Sequence, residues 1–97
     1  MHVSDLTGRE LEALIAEALG EPAGANYLDS WPRLDRVLER HAIQVAPMPG
    51  KDWMWCAVVV GRPGGLPPGP WIEGSNPRLA VGRAIVAARF GKDLERR

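Results

Sequence analysis

Apolar and polar positions along this chain sort into three helical patterns and one strand that is apolar on both faces. In "LTGRELEALIAEALG", Leu11, Leu14, Ile15, Ala18 and Leu19 recur at helical spacing and form one stripe. Thr7 and Glu10 have capping-box spacing, Leu6 and Leu11 fit the flanking staple, and Gly20 with Pro22 supplies the stop. The spacing predicts a helix over 7–20. A second helix, 30–41, is predicted from "DSWPRLDRVLERH". Asp29 or Ser30 can cap it, and Pro32 is tolerated in a first turn. Leu34, Val37, Leu38 and His41 share its apolar face, with Trp31 at the N-terminal edge. Arg33, Asp35, Arg36, Glu39 and Arg40 occupy the remainder, which reads as a solvated face.

The third helical pattern, "SNPRLAVGRAIVAARFG", predicts a helix over 77–90 with Asn76 as cap and Pro77 at its first position. Leu79, Val86 and Phe90 fall on one side, and Val81, Ile85 and Ala88 on another. Arg78, Gly82 and Arg89 lie on a narrow strip between them. Such a helix is predicted to be buried on more than one side.

Between the helices, "AIQVAP" predicts a strand at 43–47, "MPGKD" a turn, and "WMWCAVVVGR" a long strand at 53–61 that pairs with the first as a hairpin. Along that strand Trp53, Trp55, Ala57 and Val59 point one way, and Met54, Cys56, Val58 and Val60 the other. Four prolines and four glycines bar regular structure from the loop at 61–70. Residues 71–73 can add a brief third strand at a sheet edge. A strand apolar on both faces calls for cover above and below. The expected fold is therefore a single α+β domain over 1–97, a small three-layer α/β/α sandwich of order α-α-β-β-(β)-α. With only three helices, one face can stay incompletely covered, and a homo-oligomer would complete it through the sheet edge or the last helix.

Composition adds exclusions. A chain of 97 residues supports one core. Cys56, the single cysteine, rules out an intramolecular disulfide and a cysteine cage for a metal; it reads as a small buried hydrophobe in a chain suited to a reducing compartment. No signal-peptide core opens the sequence, and no apolar run approaches the roughly 18 residues of a membrane span, so a soluble intracellular protein is expected. A net charge of zero argues against nucleic acid as a partner. The charge is nonetheless polarised: residues 1–48 hold eight acidic and four basic side chains, and residues 49–97 the reverse.

Candidate chemistry is sparse on the catalytic side. The two histidines, His2 and His41, have no plausible Ser–His–Asp context, H-E-x-x-H is absent, and "GRPGG" lacks the Lys-Ser/Thr end of a Walker loop. His41 at a helix C-terminus is explained by the dipole when protonated. No enzyme activity, cofactor or metal is expected. Anion binding has better support. "EGSNPR" sets Ser75 and Asn76 at a helix start with Arg78 in the first turn, where free N–H groups, the dipole, a hydroxyl and a guanidinium all favour negative charge. Arg83 and Arg89 follow on the same helix. Trp53, at the start of the long strand, and Trp71, after the Pro/Gly loop, can stack on a flat ring, whereas Trp55 reads as core.

Three blocks in fixed order carry a resemblance: "LTGRELEALIAE", "NYLDSWPRLDRVLER" and "NPRLAVGRAIVAA". Together they resemble the small bacteriophage proteins of the phage ABA sandwich domain family. Those proteins open with a "GRELDALVAE"-like helix, pass a "Y-S-x-D" turn before a tryptophan-bearing helix, and close with a "P-x-A-I-C-R-A" helix. The matching residues are Gly8 to Glu17, Asn26 to Ser30, and Pro77 to Ala84. Departures include "GEPAG" after the first helix, the early Trp31 followed by Pro32, and Gly82 where relatives carry another small residue or cysteine. The resemblance implies phage origin, a host-cytoplasmic setting and the sandwich architecture, and it implies no reaction. The functional expectation is a small non-enzymatic homo-oligomer that captures a nucleotide-derived anion or a host protein as a sponge does. Ser75, Asn76, Arg78, Arg83 and Arg89 would hold phosphates, Trp53 and Trp71 would stack, and the loop at 61–70 would act as a lid hinged near Gly61 and Gly69. The alternative is a protein–protein interaction module for phage assembly or replication, built on Trp71 and "LPPGP".

Overall fold

The computed structural model describes residues 1–50 and 52–94; Lys51, in the expected "MPGKD" turn, and residues 95–97 lie outside the described residues. After a single 3₁₀ turn at Val3–Asp5 come helix α1 (Gly8–Leu19), helix α2 (Trp31–His41), strands β1 (Ile43–Met48), β2 (Met54–Val59) and β3 (Ile72–Gly74), and helix α3 (Pro77–Phe90). The α+β class and the order of elements are those the pattern predicts, with the third strand formed.

Local chemistry explains most boundaries. Asn76 Oδ1 accepts the Leu79 N–H at 2.9 Å, and Pro77 occupies the first position of α3. Ser30, rather than Asp29, caps α2 by accepting from the Arg33 N–H. α1 ends at Gly20, whose left-handed backbone (φ 70°) turns its N–H onto the carbonyls of Ala16 and Glu17. At the other end of α1 the expected cap is missing, since the Thr7 side chain makes no capping bond. Leu6 and Leu11 are both buried, so burial of the staple pair holds that helix start.

The sheet is antiparallel in the order β1-β2-β3, with Ile43 opposite Val59, Val45 opposite Ala57, and Ala57 opposite Ile72. These residues, with Trp55, join the main core beneath α3. Three layers are present, stacked as sheet, α3, then α1: the middle layer is α3, and the sheet is an outer layer. The cause is the composition of α3, in which every residue from Ala80 to Ala87 is buried. Gly82 permits the close approach of α1. A Cβ at that position would lie 2.9 Å from Ile15 Cδ1 and 3.1 Å from Leu28 Cδ2.

The alternate sheet positions, Ala46, Met48, Met54, Cys56 and Val58, fall on the face away from the helices and outside the main core. This is the incompletely covered face that three helices leave. Cys56, expected to be buried, is half-buried for that reason, its Sγ 3.6 Å from the Ala46 carbonyl oxygen. Among the described residues no helix is long and apolar enough to cross a membrane.

Candidate functional site

The residues expected to hold an anion are spread over the molecule. Ser75 and Asn76 are exposed at the start of α3, and the Asn76 side chain is committed to the Leu79 N–H. The Arg78 guanidinium sits 5.7 Å from the centroid of the Trp31 ring, which aligns the start of α2 with the start of α3. Arg83 is 8% exposed. Its Nε donates to the Leu6 carbonyl at 3.0 Å and its Nη1 to the Glu73 carbonyl at 2.9 Å. That guanidinium bridges the N-terminal segment to β3 across α3, a structural task that uses two of its donors. Burial lowers its pKa below the ordinary guanidinium value, and Asp5 opposes the shift. Arg89 lies three turns beyond Arg78, about 16 Å along the axis. Trp53 is 71% exposed at the hairpin tip, and Trp71 is half-exposed beside a separate hollow lined by His2, Glu73 and Lys92. The chain does not bring this set together.

A different constellation forms where the three helices end. The last turn of α1, α2 from Arg33 to His41, Arg89 of α3 and Gly64–Gly65 of the Pro/Gly loop border an open cavity of about 260 Å³. Arg33, Arg36 and Arg40, at i, i+3 and i+7 on α2, line one side and Arg89 another. Of the residues expected to bind an anion, Arg89 alone is here.

Each neighbour is placed by a nameable contact. Tyr27 is fully buried, its backbone N–H and that of Leu28 donating to Glu12 Oε1 at 3.1 and 3.2 Å. Burial pushes the Glu12 carboxyl above its ordinary 4.5 despite these two donors. The Tyr27 hydroxyl donates to Glu21, and burial followed by that carboxylate pushes its pKa well above the ordinary value. Arg33 stands over the Tyr27 ring, 5.9 Å from its centroid. Arg89 Nε donates to the Ala18 carbonyl, one of the open carbonyls at the end of α1. Arg36 and Arg40 have no ion-pair partner among the described residues.

Helix dipoles give arginines a structural reason to gather here, and the magnitudes test whether that reason suffices. Three helix C-termini contribute about −0.5 each, or about −1.5 in all. Glu21 adds one negative charge, and the four arginines add four positive ones. The balance is about +1.5 in favour of a bound anion. A larger hollow of about 590 Å³, between α1 and the 20–30 connector, carries Arg9 against Glu12 and Asp29 and has no such excess.

His41 completes the cavity wall and departs from its expected role. It is 7% exposed, and its Nδ1 accepts the Leu66 N–H at 2.8 Å, which requires the neutral ring. Desolvation first, then the Arg40 and Arg89 charges, lower its pKa from 6.5. It is not held there as a protonated partner of the helix dipole.

The α2 arginines had a signal in the sequence. Arg36 and Arg40 form a like-charged i, i+4 pair, as do Asp35 and Glu39. Such pairs cost helix stability, whereas a helix made only to be solvated gains from opposite charges at that spacing. No family model matches the chain, and no curated protein matches it.

Proposed function

We propose that this chain is a non-enzymatic binding protein that captures a small phosphate-bearing anion of the nucleotide type in the cavity where α1, α2 and α3 end. The observation that carries this reading is the convergence of Arg33, Arg36, Arg40 and Arg89 on one cavity with, among the described residues, a single carboxylate beside them and no ion pair. Guanidinium forks match phosphate oxygens two at a time, and their flat faces accept an aromatic ring. The titratable group lowered in pKa at the site, His41, accepts a backbone N–H rather than a proton from a nucleophile, which supports capture over turnover. Set in the phage context implied by the sequence motifs, capture without cleavage is sequestration of a nucleotide-derived host signal.

Calorimetric titration with inorganic phosphate, pyrophosphate and a panel of mono- and cyclic nucleotides tests the reading. The parent chain binds at least one of them, and Arg36→Ala or Arg40→Ala weakens that binding about 10-fold or more while the melting temperature holds. A parent that binds none of them would sink this reading. Exposure of Trp53 and Trp71 and the incompletely covered sheet face favour the second reading, an interaction module or homo-oligomer. Sedimentation of the purified chain over a concentration series separates the two, because self-association through that face raises the mass and leaves the arginine cavity free.

A further inference from the structure

His41 touches both the cavity, which it lines, and the backbone of the Pro/Gly loop, whose Leu66 N–H it accepts from 25 residues away. The loop lies flat against the ring, since a Cβ on Gly65 would come 2.7 Å from Nδ1. The loop's other backbone ties sit at its ends and within its own turn. Gly61 N–H donates to the His41 carbonyl, Gly69 N–H to the Val59 carbonyl, and Gly65 N–H to the Arg62 carbonyl. The imidazole is thus the side chain that fastens the middle of the loop's backbone to α2.

Nδ1 can accept only while the ring is neutral and its proton sits on Nε2. Among the described residues Nε2 has no partner, and it is not sealed from solvent. The charges facing the ring come from three elements: Arg40 of α2 and Arg89 of α3 oppose protonation, and Glu21 of the connector favours it. Arg33 and Arg36 complete the positive lining. Burial is the larger reason the ring stays neutral; an anion seated among these arginines offsets the smaller part, the Arg40 and Arg89 repulsion, and offers Nε2–H a charged acceptor.

We propose that His41 is a proton-sensitive fastener for the Pro/Gly loop: the neutral ring holds Leu66 and closes the cavity wall, and protonation at Nδ1 replaces the acceptor with a donor and lets residues 62–66 loosen. The coupling to a bound anion rests on the cavity being an anion site; the proton response does not. Leu66 itself stays anchored by its side chain, which is 1% exposed in the core, so the expected motion is a loosening of the backbone rather than removal of the loop.

Amide hydrogen exchange of the full chain, followed by NMR from about pH 7.5 to about pH 5 with and without pyrophosphate, tests the proposal. Corrected for intrinsic rates, Leu66 protection falls about 10-fold or more as His41 titrates, while Ala57 in β2 keeps its own. Pyrophosphate moves the midpoint of that fall to higher pH. His41→Asn keeps an acceptor that cannot titrate, so its Leu66 protection stays flat. The fastener is overturned if parental Leu66 holds its protection throughout, loses it only in step with Ala57, or loses it equally in His41→Asn. Imidazole nitrogen shifts of the parent probe the same bond without a variant, because any tautomer other than Nε2–H at neutral pH overturns the proposal. Pyrophosphate binding that leaves the midpoint unmoved defeats the anion coupling. Absent binding with the proton response intact defeats the cavity reading alone.

Discussion

Two rows of arginine on two helices behave in opposite ways. On α3, Arg78, Arg83 and Arg89 belong to a helix buried nearly all round, and each guanidinium has a partner within the fold, although only Arg83 is itself buried, Arg78 being half-buried and Arg89 exposed. Arg83 holds two backbone carbonyls, Arg89 a third, and Arg78 lies over Trp31. On α2, Arg33, Arg36 and Arg40 stand exposed on the polar side of an amphipathic helix, as its pattern predicts, and there they also line a cavity. The difference teaches that an arginine within a buried helix is recruited by the nearest open carbonyl, because leaving either group dry and unpaired costs more than the contact returns. An arginine row with spare donors is found where the protein has not needed them for itself.

That contrast can be broken first at Arg83. Arg83→Ala strips partners from the Leu6 and Glu73 carbonyls, and an expected loss of about 3 kcal/mol lowers the melting temperature by more than about 10 °C. Arg83→Lys recovers only part of this, since an ammonium cannot span both carbonyls as the fork does. An unchanged melting temperature in Arg83→Ala would remove the structural half of the comparison. Next in size, Arg40→Ala costs about 10-fold in anion affinity and leaves stability level or slightly raised, because the Arg36–Arg40 repulsion goes with it.

The pH response is a smaller effect with a fixed sign. His41 has a folded pKa below its ordinary 6.5, so the unfolded chain takes up the proton first. Its contribution is fully present above about 6.5 and is lost as the pH falls from there through the folded value. Denaturant midpoints measured at stepwise lower pH show this loss in the parent and not in His41→Asn. The smallest effect belongs to Arg78→Ala. Removing a partly exposed contact with Trp31 costs about 0.5 kcal/mol and leaves anion binding unchanged, which calorimetry and thermal melts read together. Loss of anion binding in Arg78→Ala would return the site to the start of α3.

Helix ends, the hairpin, the central β2 strand and the buried character of α3 follow from short-range patterns: Asn76–Pro77, Ser30 and Gly20 act within a turn of themselves, and apolar spacing reports which faces must dry. The interplay of β2 with its cover was already less local. Apolar residues on both its faces asked for two layers of helix, yet α1 packs on α3, with Gly82 allowing the close approach, so the far sheet face is only partly covered. Least accessible of all was the cavity. It needs the ends of three helices and a glycine turn to meet, joining residues as far apart as Ala18 and Arg89, and only packing sets those distances. The sequence carried one trace of it, the like-charged spacing of Arg36 and Arg40. Side-chain type and spacing decide what a segment is; which charges face one another across a gap is decided by the core that brings the segments together.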